Sequence, residues 1–131
     1  MISDEAYRQL LQLRLRLRQF VRWSEDRAHA AGLHPMQHQL LLAIRGHDDP
    51  RGPTIGDVAY YLVQRHHSAV ELVNRAERAG LLERRRDDDD RRSVRLHLTE
   101  AGRHALDALS ALHLEELRRL APALVEVWQG L

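Results

Sequence analysis

A chain of 131 residues, 44% apolar and 30% charged, is long enough for one globular domain with its own core and too apolar to be disordered. Its basic residues are all arginine, and with the acids they leave a formal net charge of +1, weak for a nucleic-acid binder whose affinity comes largely from neutralising phosphates. No cysteine is present, which excludes a disulfide scaffold, thiolate metal sites and sensing by cysteine oxidation. No stretch approaches the roughly 18 apolar residues that span a bilayer, and Met1 to Leu10 lacks the layout of a secretory signal. A cytoplasmic protein with no membrane partner is therefore expected.

Ser3 or Asp4 can cap a first helix. Within it, "LLQLRLRLRQF" alternates like a strand, but it holds no β-branched residue and is built from strong helix formers. On a helix, Leu10, Leu13, Leu17, Phe20 and Val21 form one stripe, and Leu11 and Leu15 widen it. So broad an apolar surface needs more than one neighbour. Gly32 ends the helix, and "LHPMQHQLLLAIRGH" opens a second with Pro35 at its first position, where the missing N–H costs nothing. "DDPRGP" reads as a loop. Thr54 then caps a third helix with Ile55, Val58, Ala59 and Leu62 on one face. After a break at Val63 to Arg65, the same spacing returns as Ala69, Leu72, Val73 and Ala76, ending before Gly80. These two short helices are either a helix-turn-helix or an ordinary αα-hairpin.

Val94, Leu96 and Leu98 alternate with Arg95 and His97 as a half-buried strand, with Leu81 to Arg85 as its antiparallel partner. The run Asp87 to Asp90 then falls at a hairpin tip. Thr99 caps a long helix, expected to break near Pro122 before an apolar tail. Apolar helices at both ends of a compact middle favour a shared dimer interface.

In this order, "SAVELVNRAERAGLLERR" and "DRRSVRLHLTEAG" carry a family likeness. The chain resembles the multiple-antibiotic-resistance regulator (MarR) family over Leu33 to Gly102. The first segment is similar to that family's recognition helix and exit strand, the second to its wing. The resemblance implies a mainly α fold with a small β-hairpin wing, a winged helix-turn-helix. It divides the chain into a DNA-binding lobe at 33–102 and dimerisation helices at 1–31 and 103–131. It further implies a homodimer on a near-palindromic operator in double-stranded DNA, usually a repressor, released by a small-molecule effector. "RHHSA" departs from the Pro-Ser-Thr type of cap that many members carry at the recognition helix.

For the wing, the resemblance implies that Asp90 holds Arg92 for insertion into the minor groove, where arginine is drawn to negative potential. Arg91 and Arg95 are then phosphate candidates, and the other aspartates are expected to pair with Arg84, Arg85 and Arg86. On the recognition helix, the side opposite the apolar stripe carries His67, Val70, Glu71, Asn74 and Arg78. The N-terminal part of such a helix enters the major groove deepest, so Arg65, His66, His67 and Val70 are the expected base readers. Asn74 suits adenine and Val70 a thymine methyl, while Glu71 is expected to pair with Arg75 at i+4. His66 and His67 point about 100° apart and do not converge on a metal. The resemblance also implies an effector site between the dimer helices and the lobe, where Trp23 and His38 are expected to line a cavity. No cofactor is expected, and no nucleophile motif, glycine-rich phosphate loop or zinc spacing supports an enzyme. The near-neutral charge keeps open a winged helix that contacts protein instead of DNA.

Overall fold

The computed structural model describes residues 1–131. Its elements are α1 (Asp4–Ala30), α2 (Pro35–Gly46), α3 (Ile55–Leu62), α4 (His66–Arg78), β1 (Leu82–Arg86), β2 (Val94–Leu98) and α5 (Glu100–Gln129). Ser3 caps α1 by accepting from the Ala6 N–H at 3.1 Å, and the alternating leucine–arginine segment is helical throughout. Propensity thus overrides a period-two pattern that no partner strand is present to use.

His34 caps α2: its Nδ1 accepts from the Met36 N–H at 3.1 Å, and Gln37 Oε1 accepts from the His34 N–H at 3.0 Å. At α3, Thr54 Oγ1 accepts from the Asp57 N–H while the Asp57 carboxylate accepts from the Thr54 N–H, a reciprocal capping box. The turn into α4 passes through Val63 at φ 51°, ψ 49°, a left-handed backbone seldom taken by a β-branched residue.

β1 and β2 pair antiparallel in the register Leu82↔Leu98, Arg84↔Leu96 and Arg86↔Val94. The loop before α3 runs along the free edge of β2, where the Leu96 N–H donates to the Pro53 carbonyl at 2.9 Å. That approach requires glycine at position 52: with φ +87°, an added Cβ would lie 2.4 Å from the Leu96 carbonyl oxygen. Gly102 plays a comparable part in the first turn of α5, where a Cβ would meet the Leu81 carbonyl oxygen at 2.0 Å.

The core lies between these elements. Leu40, Leu41 and Ile44 of α2, Val58 of α3, Ala69, Val73 and Ala76 of α4, the hairpin leucines and Leu106 and Leu109 of α5 are buried together. α1 and α5 run side by side and antiparallel, with Trp23 against His113 and Gln9 beside Gly130. α5 does not break at Pro122, contrary to expectation, but continues to Gln129. Proline there removes one hydrogen bond, to the Arg118 carbonyl, on an exposed stretch where water can replace it.

Candidate nucleic-acid interface

α4 presents its buried stripe, Ala69, Val73 and Ala76, to the lobe, which fixes what faces out. Arg65, at the N-cap, makes no side-chain cap bond, and the first turn holds no acid. Arg65, His66 and His67 are exposed, Val70 is half-buried beside them, and Arg78 is exposed at the far end of the helix. The result is an uncapped helix N-terminus, partly positive from its own dipole and flanked by donor side chains.

Asn74 is placed differently from the expectation of a free adenine reader. The Arg84 guanidinium, from β1, donates to Asn74 Oδ1 at 2.6 Å and also pairs with Glu77. Guanidinium is donor-only, so the amide oxygen must face it, and the acceptor half of a bidentate adenine contact is already used. Asn74 joins the wing to α4. Arg84 lies opposite Leu96 on the face of β1 turned toward the lobe, which carries its side chain to α4 and away from the aspartates.

The expected pairing of the aspartates with Arg84, Arg85 and Arg86 is therefore corrected. Arg85 pairs with Glu83, and Arg86 donates to the Arg91 carbonyl at 2.7 Å. Asp90 does hold the segment of Arg92, but through the backbone: its Oδ1 accepts from the Arg92 N–H at 3.0 Å and its Oδ2 from Ser93 Oγ at 3.1 Å. The carboxylate shapes the turn and leaves the Arg92 guanidinium, like that of Arg91, exposed without an ion pair.

Arg95 is also placed otherwise than expected for a phosphate contact. Its side chain is mostly buried, with Nε donating to Asp87 at 3.2 Å and an Nη to the Gly52 carbonyl at 3.3 Å. Asp87 itself is buried. The Asp89 backbone N–H beside it, followed by the Arg95 and Arg51 guanidiniums, holds its carboxyl below the usual carboxylate range against the opposing effect of burial. Arg51 was not singled out from the sequence. It donates to Asp87 at 3.3 Å and grips Asp49 through Nε and Nη2 at 3.1 and 2.8 Å. The Asp-Pro-Arg spacing marks a turn, but nothing in it reveals that the turn lies beside β2.

A second polar cluster sits where α1, α2 and α5 meet. His113 Nδ1 donates at 2.7 Å to the Leu109 carbonyl, which can only accept, so in the neutral ring His113 Nε2 accepts from the Ser24 hydroxyl at 2.7 Å. Trp23 and His38 pack on this ring, with centroids at 4.9 and 4.7 Å. His38 is 3% exposed and its Nδ1 has no partner; burial, then the neighbouring His113, pushes its pKa below the ordinary value. An adjoining cavity of about 500 Å3 is lined by Phe20, Val21, Ser24, Glu25, Met36 and Gln39, among others. Trp23 and His38 do not line it. Both are drawn to His113, which the sequence reading did not single out.

Residues 31–93 match the sequence model of the MarR family. Over that segment the chain is similar to the MarR family. This is a family of transcription regulators, not of enzymes, and its winged-helix fold is the one observed here. The transcriptional activatory protein BadR of Rhodopseudomonas palustris is 33% identical over 81 residues, which cover 62% of this chain and 46% of BadR. The chain thus spans about half the length of that curated relative. Among solved structures, the DNA complex of Staphylococcus aureus MepR superposes with a TM-score of 0.71 at 21% identity, covering 84% of this chain and 80% of that one. CouR of Rhodococcus jostii, solved with p-coumaroyl-CoA, gives 0.68 at 24% identity, covering 77% and 69%. No helix of the chain is long and apolar enough to cross a membrane.

Proposed function

We propose that this protein is a cytoplasmic transcription regulator of the MarR family that binds double-stranded DNA as a homodimer. Helices 1–31 and 103–131 join two copies, and the lobes at 33–102 place two α4 helices in major grooves of a pseudo-palindromic operator. The wings reach the flanking minor grooves. The observation that carries this reading is the set of exposed, uncommitted donors on the two elements that reach DNA in a winged helix, Arg65, His66 and His67 on α4 and Arg91 and Arg92 at the wing tip. Asp49, Asp87, Glu77 and Glu83 are paired with arginines of the chain itself, so their charge is balanced where it stands. Outward on these elements stand Arg65, Arg75, Arg78, Arg86, Arg91 and Arg92, interspersed with Glu71, Asp88, Asp89 and Asp90.

Repression is the proposed outcome where the operator overlaps a promoter, with release by a small molecule. The cavity beside Ser24 and Met36, between α1 and α2, supports an effector, because a ligand there bears on the joint between the arms and the lobe. The test is a mobility shift on DNA from upstream of the protein's own gene. The expected result is a retarded band that survives nonspecific competitor, with protection at half-sites roughly 10 bp apart. Lack of any shift at low salt would turn the reading to a winged helix that docks on protein.

A further inference from the structure

Asp87 closes the wing at its base. Its N–H donates to the Ser93 carbonyl at 3.0 Å, and beyond this pair the tip from Asp88 to Arg92 has no strand pairing. Its carboxylate, with 2% of the side chain exposed, accepts from the Asp89 N–H at 3.0 Å, Arg51 Nη1 at 3.3 Å and Arg95 Nε at 3.2 Å. Two of these donors belong to other parts of the molecule, the loop before α3 and strand β2. Arg51 is gripped in turn by Asp49, and Arg95 by the Gly52 carbonyl. Loop, strand and tip therefore meet on one carboxylate. A two-stranded ribbon is marginal by itself and flexes about its base unless it is braced. This brace is made of charge-assisted bonds that meet on a buried carboxylate, with the Arg95 side chain mostly buried and that of Arg51 half exposed.

We propose that Asp87 is the positioning residue of the wing: by tying Arg51 to Arg95 it fixes the angle at which the hairpin leaves the lobe and delivers Arg92 to the minor groove. Asp87 does not touch DNA in this arrangement. An exposed carboxylate at the wing base would repel phosphates, and its burial between two guanidiniums neutralises that charge. The inference rests on the DNA-binding reading above, and one arm of its test needs no DNA.

The test substitutes Asp87→Asn, which keeps the shape but turns an amide N–H2 toward donors it cannot accept from. In the free protein, nitrogen-15 relaxation should show faster motion from Asp88 to Ser93, with α2 and α4 unchanged. On operator DNA, affinity should fall about tenfold. Minor-groove protection by the wing should be lost while major-groove protection by α4 persists. Arg92→Ala, costly in the native chain, should cost little more in the Asp87→Asn background, because Asp87 acts through Arg92. General loss of folding would instead erase both kinds of protection together. If Asp87→Asn does not fold, Arg51→Met cuts one tie and leaves Arg95 in place, and the same loosening is expected at smaller amplitude. A wing that stays as rigid as in the native chain overturns the bracing whatever happens on DNA. Persisting wing protection, or an undiminished extra loss from Arg92→Ala, overturns the delivery of Arg92. A native chain that ignores DNA defeats the DNA-binding reading, and the relaxation arm still decides the bracing.

Discussion

In the lobe, Leu40, Leu41, Leu82 and Leu96 are fully enclosed, whereas on the long helices Leu10, Leu11, Leu15, Leu17 and Val21 of α1 and Leu112, Leu114 and Leu117 of α5 each remain at least 40% exposed. The lobe closes its core with short elements packed from several directions. α1 and α5 cover only one stripe of each other and leave the rest to water. Isolated exposed leucines are ordinary, but aligned rows on two adjoining helices mark a surface made to be covered. The covering surface we propose is a second copy. On this account the DNA-facing side chains belong to a self-sufficient lobe, while the distance between two lobes is set by residues that never approach DNA.

Deleting Met1 to Phe20 breaks this comparison most severely. It should abolish dimerisation and lower stability, seen by ultracentrifugation and thermal melting, and a well-folded truncated monomer would contradict the assignment of α1 to the interface. Next in size, Leu40→Ala removes an enclosed core side chain and should cost about 2 to 5 kcal/mol in chemical unfolding. Leu17→Ala on α1 should cost the lobe little and instead raise the concentration at which the dimer dissociates. Equal effects of the two would erase the distinction between the regions.

This division was partly legible in the sequence. The apolar spacing of Ile55, Val58, Ala59 and Leu62 and of Ala69, Leu72, Val73 and Ala76 gave the helical pair, and Thr54 and Thr99 marked true helix starts. Periodicity reveals which side of an element is buried, because burial is a property of the whole face. It does not reveal which partner a long charged side chain takes. Arg84, Arg85 and Arg86 are adjacent, yet they end on α4, on Glu83 and on the Arg91 carbonyl. Arg51 and Asp87 are 36 positions apart and meet only because the loop lies along β2. The family likeness located the wing, and there the Asp90 carboxylate accepts from the Arg92 backbone N–H and the Ser93 hydroxyl, not from a guanidinium.

The seam between lobe and arms gives a smaller, pH-dependent effect. His38 titrates below its ordinary value of 6.5 in the folded chain, from burial and then from His113. As pH falls through 6.5, the unfolded chain takes the proton while the folded chain does not, so stability falls from that point down to the depressed folded value. His38→Leu should flatten this part of a melting-temperature profile; an unchanged slope would remove His38 as its source.

The smallest expected change is a gain. Val63 holds a left-handed backbone while 92% exposed, so Val63→Gly relieves strain and gives up almost no packing. Offset by the greater freedom of glycine in the unfolded chain, the net should be about 0.5 to 1 kcal/mol of added stability in chemical unfolding. A loss of that size would mean that Val63 makes a contact worth more than its strain.

The central claim is that two lobes, held by α1 and α5, act on DNA as one unit. Its most direct measurement is sedimentation of the protein on an operator fragment carrying both half-sites, compared with a fragment carrying one. The account predicts two protomers binding together in a single step on the full fragment and much weaker binding to the half fragment. Protomers that fill each half-site singly, with equal affinity on both fragments, would contradict it.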